Sequence, residues 1–197
     1  MPGFMPGIHA FFRAHKEDVD GRDKPGHDAY CVARHCVPFG THTMLTLAIA
    51  LTLHLLSAVV WVGGMFAAYM CLRPAAGPLE PPQRLSLWRR FFTKFFPWVW
   101  ASVVLLLVTG VWMILSFFGG FAHAPMYINI MMALGLVMVA LYAWLFHGPW
   151  LKFKRAVDAG DWASAGAQLN RIRQLIAVNL PLGLIVVIVG GTGRYWG

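Results

Sequence analysis

Charged residues are scarce in this 197-residue chain: only 12% are Asp, Glu, Lys or Arg, whereas 58% are hydrophobic. A soluble domain carries roughly 25% charged residues, so most of this chain does not face water. Acidic residues are scarcest, because residues 44–197 contain only Glu80, Asp158 and Asp161. No carboxylate lies inside an apolar run, which argues against proton-coupled transport through Asp or Glu.

Cysteines and catalytic motifs are also few. The three cysteines, Cys31, Cys36 and Cys71, are an odd number and do not form a paired disulfide framework. The signatures of P-loops, serine hydrolases, zinc proteases and C-x-x-C redox sites are absent. The sequence therefore contains no motif of a soluble enzyme and predicts no catalytic residue, which favours a non-enzymatic protein without deciding whether a reaction is catalysed. The net charge of +8 lies in residues 44–197 and predicts basic membrane loops rather than nucleic-acid binding.

Residues 1–43 differ from the rest of the chain. Their central stretch, KEDVDGRDKPGHD, is polar, rich in Gly, Pro and Asp, and has no apolar period. Such a segment cannot bury enough apolar surface to offset the entropy of ordering. It also lacks the hydrophobic region of a secretory signal. We predict that residues 1–43 are disordered or a mis-assigned N-terminal extension.

Residues 44–197 contain four apolar runs, and a spanning helix needs about 20 such residues. The runs are approximately 45–70, 97–118, 126–147 and 175–193. They predict an all-α, integral membrane four-helix bundle. The connecting segments 73–94 and 148–174 carry five basic residues each, whereas the turn FGGFAHAP carries none. The positive-inside rule therefore places the two basic loops in the cytoplasm and both ends of the domain outside.

The segment QRLSLWRRFFTKFF (83–96) is amphipathic, with apolar residues on one half of a helical wheel and Arg89, Arg90 and Lys94 opposite. This pattern predicts a short interfacial helix that contacts anionic lipid headgroups. The alternative is a loop helix that packs its apolar face on the bundle. Both interpretations fit the sequence.

His54 is an imidazole within a run that has no charge from Met44 to Leu72. A polar residue in a span is a candidate functional residue, although it can also join helices through a hydrogen bond. His54 and His147 differ in depth by about a dozen residues, roughly 18 Å, so they cannot share one haem iron. Residues predicted near the depth of His54 are Thr109, Met113, Met131 and Met132.

Histidine with methionine suits copper(I), because both are soft or borderline ligands. The candidate metal ligands are therefore His54 with Met131 or Met132, and a second pair, His123 and Met126, in the outer turn. Methionine is also ordinary filler in apolar helices. Trp61 lies on the same helical face as His54, where it contacts the imidazole, a cofactor or simply other side chains. Arg194 near the outer end is a candidate partner for an anionic group.

The stretch LHLLSAVVWVGGMFAAYMCLRP resembles the copper resistance protein D (CopD) family, most specifically in His54, Trp61, Gly63 and Gly64. The resemblance continues through RRFFTKFFPWVWASVVLLLVTG to the final GGTGRYW and covers residues 44–197. It implies a bacterial inner-membrane, multi-pass protein that binds or passes copper in uptake or tolerance. Larger members of this family have more spans, so this chain looks like a minimal four-helix version.

The first-span pattern is also similar to that of HemJ-type protoporphyrinogen oxidases, four-helix membrane proteins that bind haem. That similarity implies haem b with His54 as a single axial ligand and Trp61 and Arg194 as further contacts. A third hypothesis is a cofactor-free membrane module that serves a partner. Besides lipid, we expect a periplasmic copper-binding protein or a second copy of the chain as partners.

Overall fold

The computed structural model describes residues 31–32, 35–36 and 41–196, with side chains from residue 44 onward. The chain divides into two units, Met1–Ala48 and Ile49–Gly197. In the first unit, the strands Cys31–Val32 and His35–Cys36 pair antiparallel, with Cys31 opposite Cys36. The prediction of disorder or a mis-assigned start for residues 1–43 falls mostly outside the described residues.

Within the described residues, four helices are long and apolar enough to cross a membrane. These first to fourth spans are Met44–Ala75, Pro81–Phe118, Met126–Asp158 and Trp162–Tyr195. They confirm the predicted all-α, four-span architecture. The 38 residues of the second span measure about 57 Å, whereas a hydrocarbon core is about 30 Å thick. The spans therefore continue beyond the lipid. Their orientation stays a prediction from the loop charges.

π-helical turns interrupt two of the spans. The helical segment that contains the first span begins at Thr41 and consists, in order, of helix Thr41–Ala58, π turn Val59–Gly63, helix Gly64–Phe66, π turn Ala67–Leu72 and helix Arg73–Ala75. The third consists of helix Met126–Leu145, π turn Phe146–Trp150 and helix Leu151–Asp158. The last π turn contains Pro149, whose missing N–H removes a helical hydrogen bond. The turn at Val59 follows His54 closely, and π turns are frequent at functional sites.

Local sequence explains where the other spans begin and end. The second span, helix Pro81–Phe118, begins with a proline and ends at Gly119, which has a left-handed φ of 67°. Proline is tolerated in the first helical turn, and glycine adopts a positive φ without steric cost. The fourth span consists of helix Trp162–Thr192 and the 3₁₀ turn Gly193–Tyr195. Its N-cap is Asp161, whose carboxylate accepts a hydrogen bond from the Ser164 N–H.

Several large aromatic side chains are buried at the end of the bundle that carries the basic loops. Trp88, Phe92 and Phe153 are among the largest fully buried side chains there, and Ile172 of the fourth span joins them. The rings of Phe92 and Phe96 stack at 4.9 Å between centroids. On the surface nearby, the Arg89 guanidinium donates two hydrogen bonds to the Asp158 carboxylate, at 2.7 and 3.0 Å. This core and ion pair hold the second, third and fourth spans together.

The amphipathic segment 83–96 is continuous with the second span and is not a separate helix. Its apolar face is used for packing, since Leu85, Trp88, Phe92 and Phe96 are at most 4% exposed. The structure therefore favours the loop-helix interpretation for the apolar side chains of this segment. Arg90 and Lys94 remain exposed, and their contact with anionic headgroups stays a prediction.

Candidate functional site

His54 lies on the inward face of the first span. Residues three or four positions apart on this face are buried, whereas Leu55, Leu56 and Val59 are more than half exposed. This spacing is the period of a helix with one face toward its neighbours. The inward residues below His54 are Ser57, Trp61, Met65 and Ala68. His54 itself is half-buried and therefore faces the bundle rather than lipid.

The imidazole of His54 is held by Thr109 of the second span. Its Nδ1 lies 2.8 Å from Thr109 Oγ1. The Thr109 hydroxyl donates its only proton to the carbonyl oxygen of Leu105, 2.6 Å away. With its hydroxyl proton on Leu105, Thr109 Oγ1 is positioned to accept a hydrogen bond from Nδ1–H. In that Nδ1–H tautomer the lone pair of Nε2 is not used by Thr109, which is the arrangement of a metal-binding histidine.

Gly110 provides space beside this imidazole. A side chain at Gly110 would place its Cβ 3.2 Å from His54 Cε1 and 4.0 Å from Met132 Cε. His54 and Met132 thus approach one position on the second span, from the first and third spans respectively. The methyl end of Met132 and the His54 ring can both approach this position because glycine has no side chain there.

The adjacent Met131 points elsewhere. A Cβ at Gly190 of the fourth span would lie 2.9 Å from Met131 Cε and 3.3 Å from its sulfur atom. Neighbouring residues on a helix differ by about 100° in direction, so two consecutive methionines face different spans. The sequence left Met131 and Met132 as alternative ligands, and Met132 is the one whose methyl group lies near Gly110 and the His54 ring.

The second predicted pair, His123 and Met126, lies in the outer turn between the second and third spans. His123 is exposed, and Met126 is 69% exposed. Thr109 lies nine residues before the end of the second span at Phe118, or about 14 Å along the axis. The outer pair is therefore separate from the His54 position and is accessible from that side of the bundle.

Trp61 and Arg194, the proposed haem contacts, have different surroundings. Trp61 is 3% exposed, and its ring meets Tyr142 edge-on at 6.1 Å between centroids. Arg194 is exposed, and its guanidinium lies 4.6 Å from the centroid of the Tyr195 ring. It also hydrogen-bonds the Tyr195 hydroxyl. Trp61 thus contributes to core packing, and Arg194 contacts the neighbouring Tyr195.

A second polar position lies deeper in the bundle and was missed by the sequence analysis. Asn179 of the fourth span is 5% exposed, and its Nδ2 donates to the sulfur of Met65 at 3.8 Å. Asn179 Oδ1 is buried without a hydrogen-bond partner among the described residues. A cavity of about 20 Å³ lies against it and is also lined by Trp61, Met65 and Tyr142. The sequence does contain a signal for this position, because Asn179 is a single amide side chain inside the apolar run LIAVNLPLGLIVV.

Among the described residues, no group of three or more His, Cys, Asp or Glu side chains could hold a metal ion. The candidate donors at the His54 position are therefore one imidazole and one thioether, without carboxylate or thiolate. Such neutral, soft donors favour a monovalent soft cation over hard divalent ions. This donor set differs from that of structural zinc sites, which are built from several His and Cys ligands.

Comparison with known proteins adds one match. The family model described as Copper resistance protein D matches residues 89–192, which cover most of the second span, the whole third span and most of the fourth. No curated protein and no solved structure matches the chain significantly. The matched region includes Thr109, Gly110 and Met132, whereas His54 precedes it.

Proposed function

Because the chain belongs to the copper resistance protein D family, we propose that it binds copper(I) in the membrane and passes it between the two sides. His54 Nε2 and the Met132 sulfur are the principal ligands in this proposal. The observation that carries it is the His54–Thr109 hydrogen bond through Nδ1, together with the approach of the His54 ring and the Met132 methyl group to Gly110. The family supports a copper-resistance role for a membrane protein, and the choice of ligands rests on this geometry.

Further methionines continue inward from this position and could carry the ion. Met138 is 3% exposed, and its methyl group packs at Gly183 of the fourth span. Met65 is 4% exposed and lies beside Asn179. Thioether groups are uncharged and bind copper(I) weakly, so the ion can move from one methionine to the next. We propose the order Met132, Met138 and Met65 for passage through the bundle.

We place the entry point of this copper(I) path at the outer turn. His123 and Met126 are both exposed there and are of the same ligand types as the inner pair. In the predicted orientation this turn faces the periplasm of a bacterial inner membrane. A periplasmic copper-binding protein is the partner that we propose would deliver the ion.

The two adjacent methionines provide a matched test. In purified protein titrated with copper(I) against a competing chelator, Met132→Leu is expected to weaken affinity roughly tenfold to a hundredfold. Met131→Leu removes the same sulfur one residue away and is expected to change affinity less than about twofold, because Met131 faces Gly190. Equal effects of the two variants would contradict Met132 as a ligand.

The same sample tests the haem alternative, in which His54 is an axial ligand of haem b. A Soret band in the visible spectrum of the purified protein would support a haem-binding redox protein. A colourless protein that binds one or more copper(I) ions supports the copper proposal.

A further inference from the structure

A large groove lies at the basic-loop end of the bundle, between the third and fourth spans. Its volume is about 670 Å³, within the range of small-molecule sites. We call it the inner-end groove. It is separate from His54, and its principal lining residues are Trp144, Lys152, Gln168, Arg171, Leu175 and Val178.

The lining of the inner-end groove changes from apolar to basic along the bundle axis. On the third span, Trp144 precedes Lys152 by eight residues, or about 12 Å. The fourth span runs in the opposite direction, so Val178 and Leu175 lie toward the Trp144 end and Arg171 toward the Lys152 end. One half of the inner-end groove is therefore aliphatic and aromatic, and the other half is cationic. The length of the groove along the bundle axis is similar to the thickness of a membrane interface.

The polar half is suited to an anion that also carries hydroxyl groups. Lys152 and Arg171 are exposed, and no acidic side chain from the described part of the chain lines the groove. His147 also lines the groove, and its Nδ1–H donates to the Ala143 carbonyl at 3.0 Å, which leaves Nε2 as a hydrogen-bond acceptor in the neutral ring. Gln168 Oε1 is buried and has no hydrogen-bond partner among the described residues. The groove thus has two cationic side chains that can bind a phosphate, next to two atoms that can accept hydrogen bonds from hydroxyl groups.

We propose that the inner-end groove binds one anionic phospholipid with a hydroxylated headgroup, of the phosphatidylglycerol type. The phosphate lies between Lys152 and Arg171, and the glycerol hydroxyls donate to Gln168 or His147. One acyl chain follows Trp144, Leu175 and Val178 back toward the hydrocarbon core. Basic pockets between membrane helices on the cytoplasmic side bind anionic headgroups in this way.

Native mass spectrometry of the full chain in detergent tests this site, with phosphatidylglycerol, phosphatidylcholine and free glycerol 3-phosphate as separate probes. We expect one retained phosphatidylglycerol, with lower affinity for phosphatidylcholine. Lys152→Gln or Arg171→Gln alone is expected to weaken phosphatidylglycerol binding about fivefold, and the double variant roughly thirtyfold.

The matched control is the double variant Lys154→Gln, Arg155→Gln, which removes two charges from the same helix outside the groove lining. It is expected to retain phosphatidylglycerol within about twofold of the unmodified chain. An equal loss in both double variants would overturn the site. Equal affinity for phosphatidylcholine would also overturn it, and binding of glycerol 3-phosphate as tight as that of the lipid would show a soluble phosphate ligand instead.

Discussion

His54→Ala is expected to lower the copper(I) affinity of the purified protein by more than about a hundredfold. The substitution removes the only imidazole that we place at the inner site, and we expect the loss of this stronger donor to cost more than the roughly tenfold to hundredfold expected for the thioether in Met132→Leu. The variant is expected to remain folded, because His54 is only half-buried and lies outside the aromatic core. Competition with a copper(I) chelator measures the change.

Thr109→Val provides the graded control for this prediction. It keeps the side-chain shape and removes the acceptor of the Nδ1–H hydrogen bond, so the imidazole loses its fixed tautomer and orientation. Copper(I) affinity is expected to fall roughly tenfold to a hundredfold, less than in His54→Ala. His147→Ala, at the opposite end of the bundle, is expected to leave the affinity of this site unchanged. If copper affinity in His54→Ala equals that of the unmodified chain, the His54–Thr109 bond serves helix packing alone.

Phe92→Ala is expected to destabilise the bundle by about 3–5 kcal/mol, the usual cost of truncating a buried aromatic side chain. Phe92 is 0% exposed and contacts the rings of Trp88, Phe96, Trp150 and Phe153. Its removal leaves a cavity that these large rings cannot close. Denaturation of the detergent-solubilised protein, followed by helical circular dichroism, measures the change.

Trp98→Ala is the matched control for Phe92→Ala. Trp98 belongs to the same span but is 67% exposed, so its truncation removes few contacts within the protein. We expect its stability to stay within about 1 kcal/mol of the unmodified chain. If both variants lose the same stability, segment 83–96 is not anchored by its buried face, and the interfacial-helix interpretation regains support.

The four spans could be predicted because lipid requires long apolar helices, and such runs are visible in the sequence. Their extension beyond the lipid was harder to predict. Segment 83–96 is charged on one face, so hydropathy alone separates it from the apolar run that begins at Pro97. The structure joins them in one helix, with Trp88 and Phe92 buried. The burial of that face depends on Phe153 and Ile172, which come from distant parts of the chain.

The candidate site was only partly predictable. Depth arithmetic placed Thr109 and the two consecutive methionines near His54, because a helix rises a fixed distance per residue. It could not give the rotation of each helix, which decides that Met132 approaches Gly110 while Met131 packs at Gly190. Asn179 and the inner-end groove require the relative positions of separate spans, which one sequence does not contain.

The most direct measurement of the central claim is the copper K-edge X-ray absorption spectrum of the copper(I)-loaded protein. We predict a first coordination shell with an imidazole nitrogen and at least one thioether sulfur. The imidazole scattering is expected to disappear in His54→Ala, and the sulfur contribution to fall in Met132→Leu but not in Met131→Leu. A shell without imidazole in the unmodified chain, or one that is identical in all these variants, would contradict a copper site at His54 and Met132.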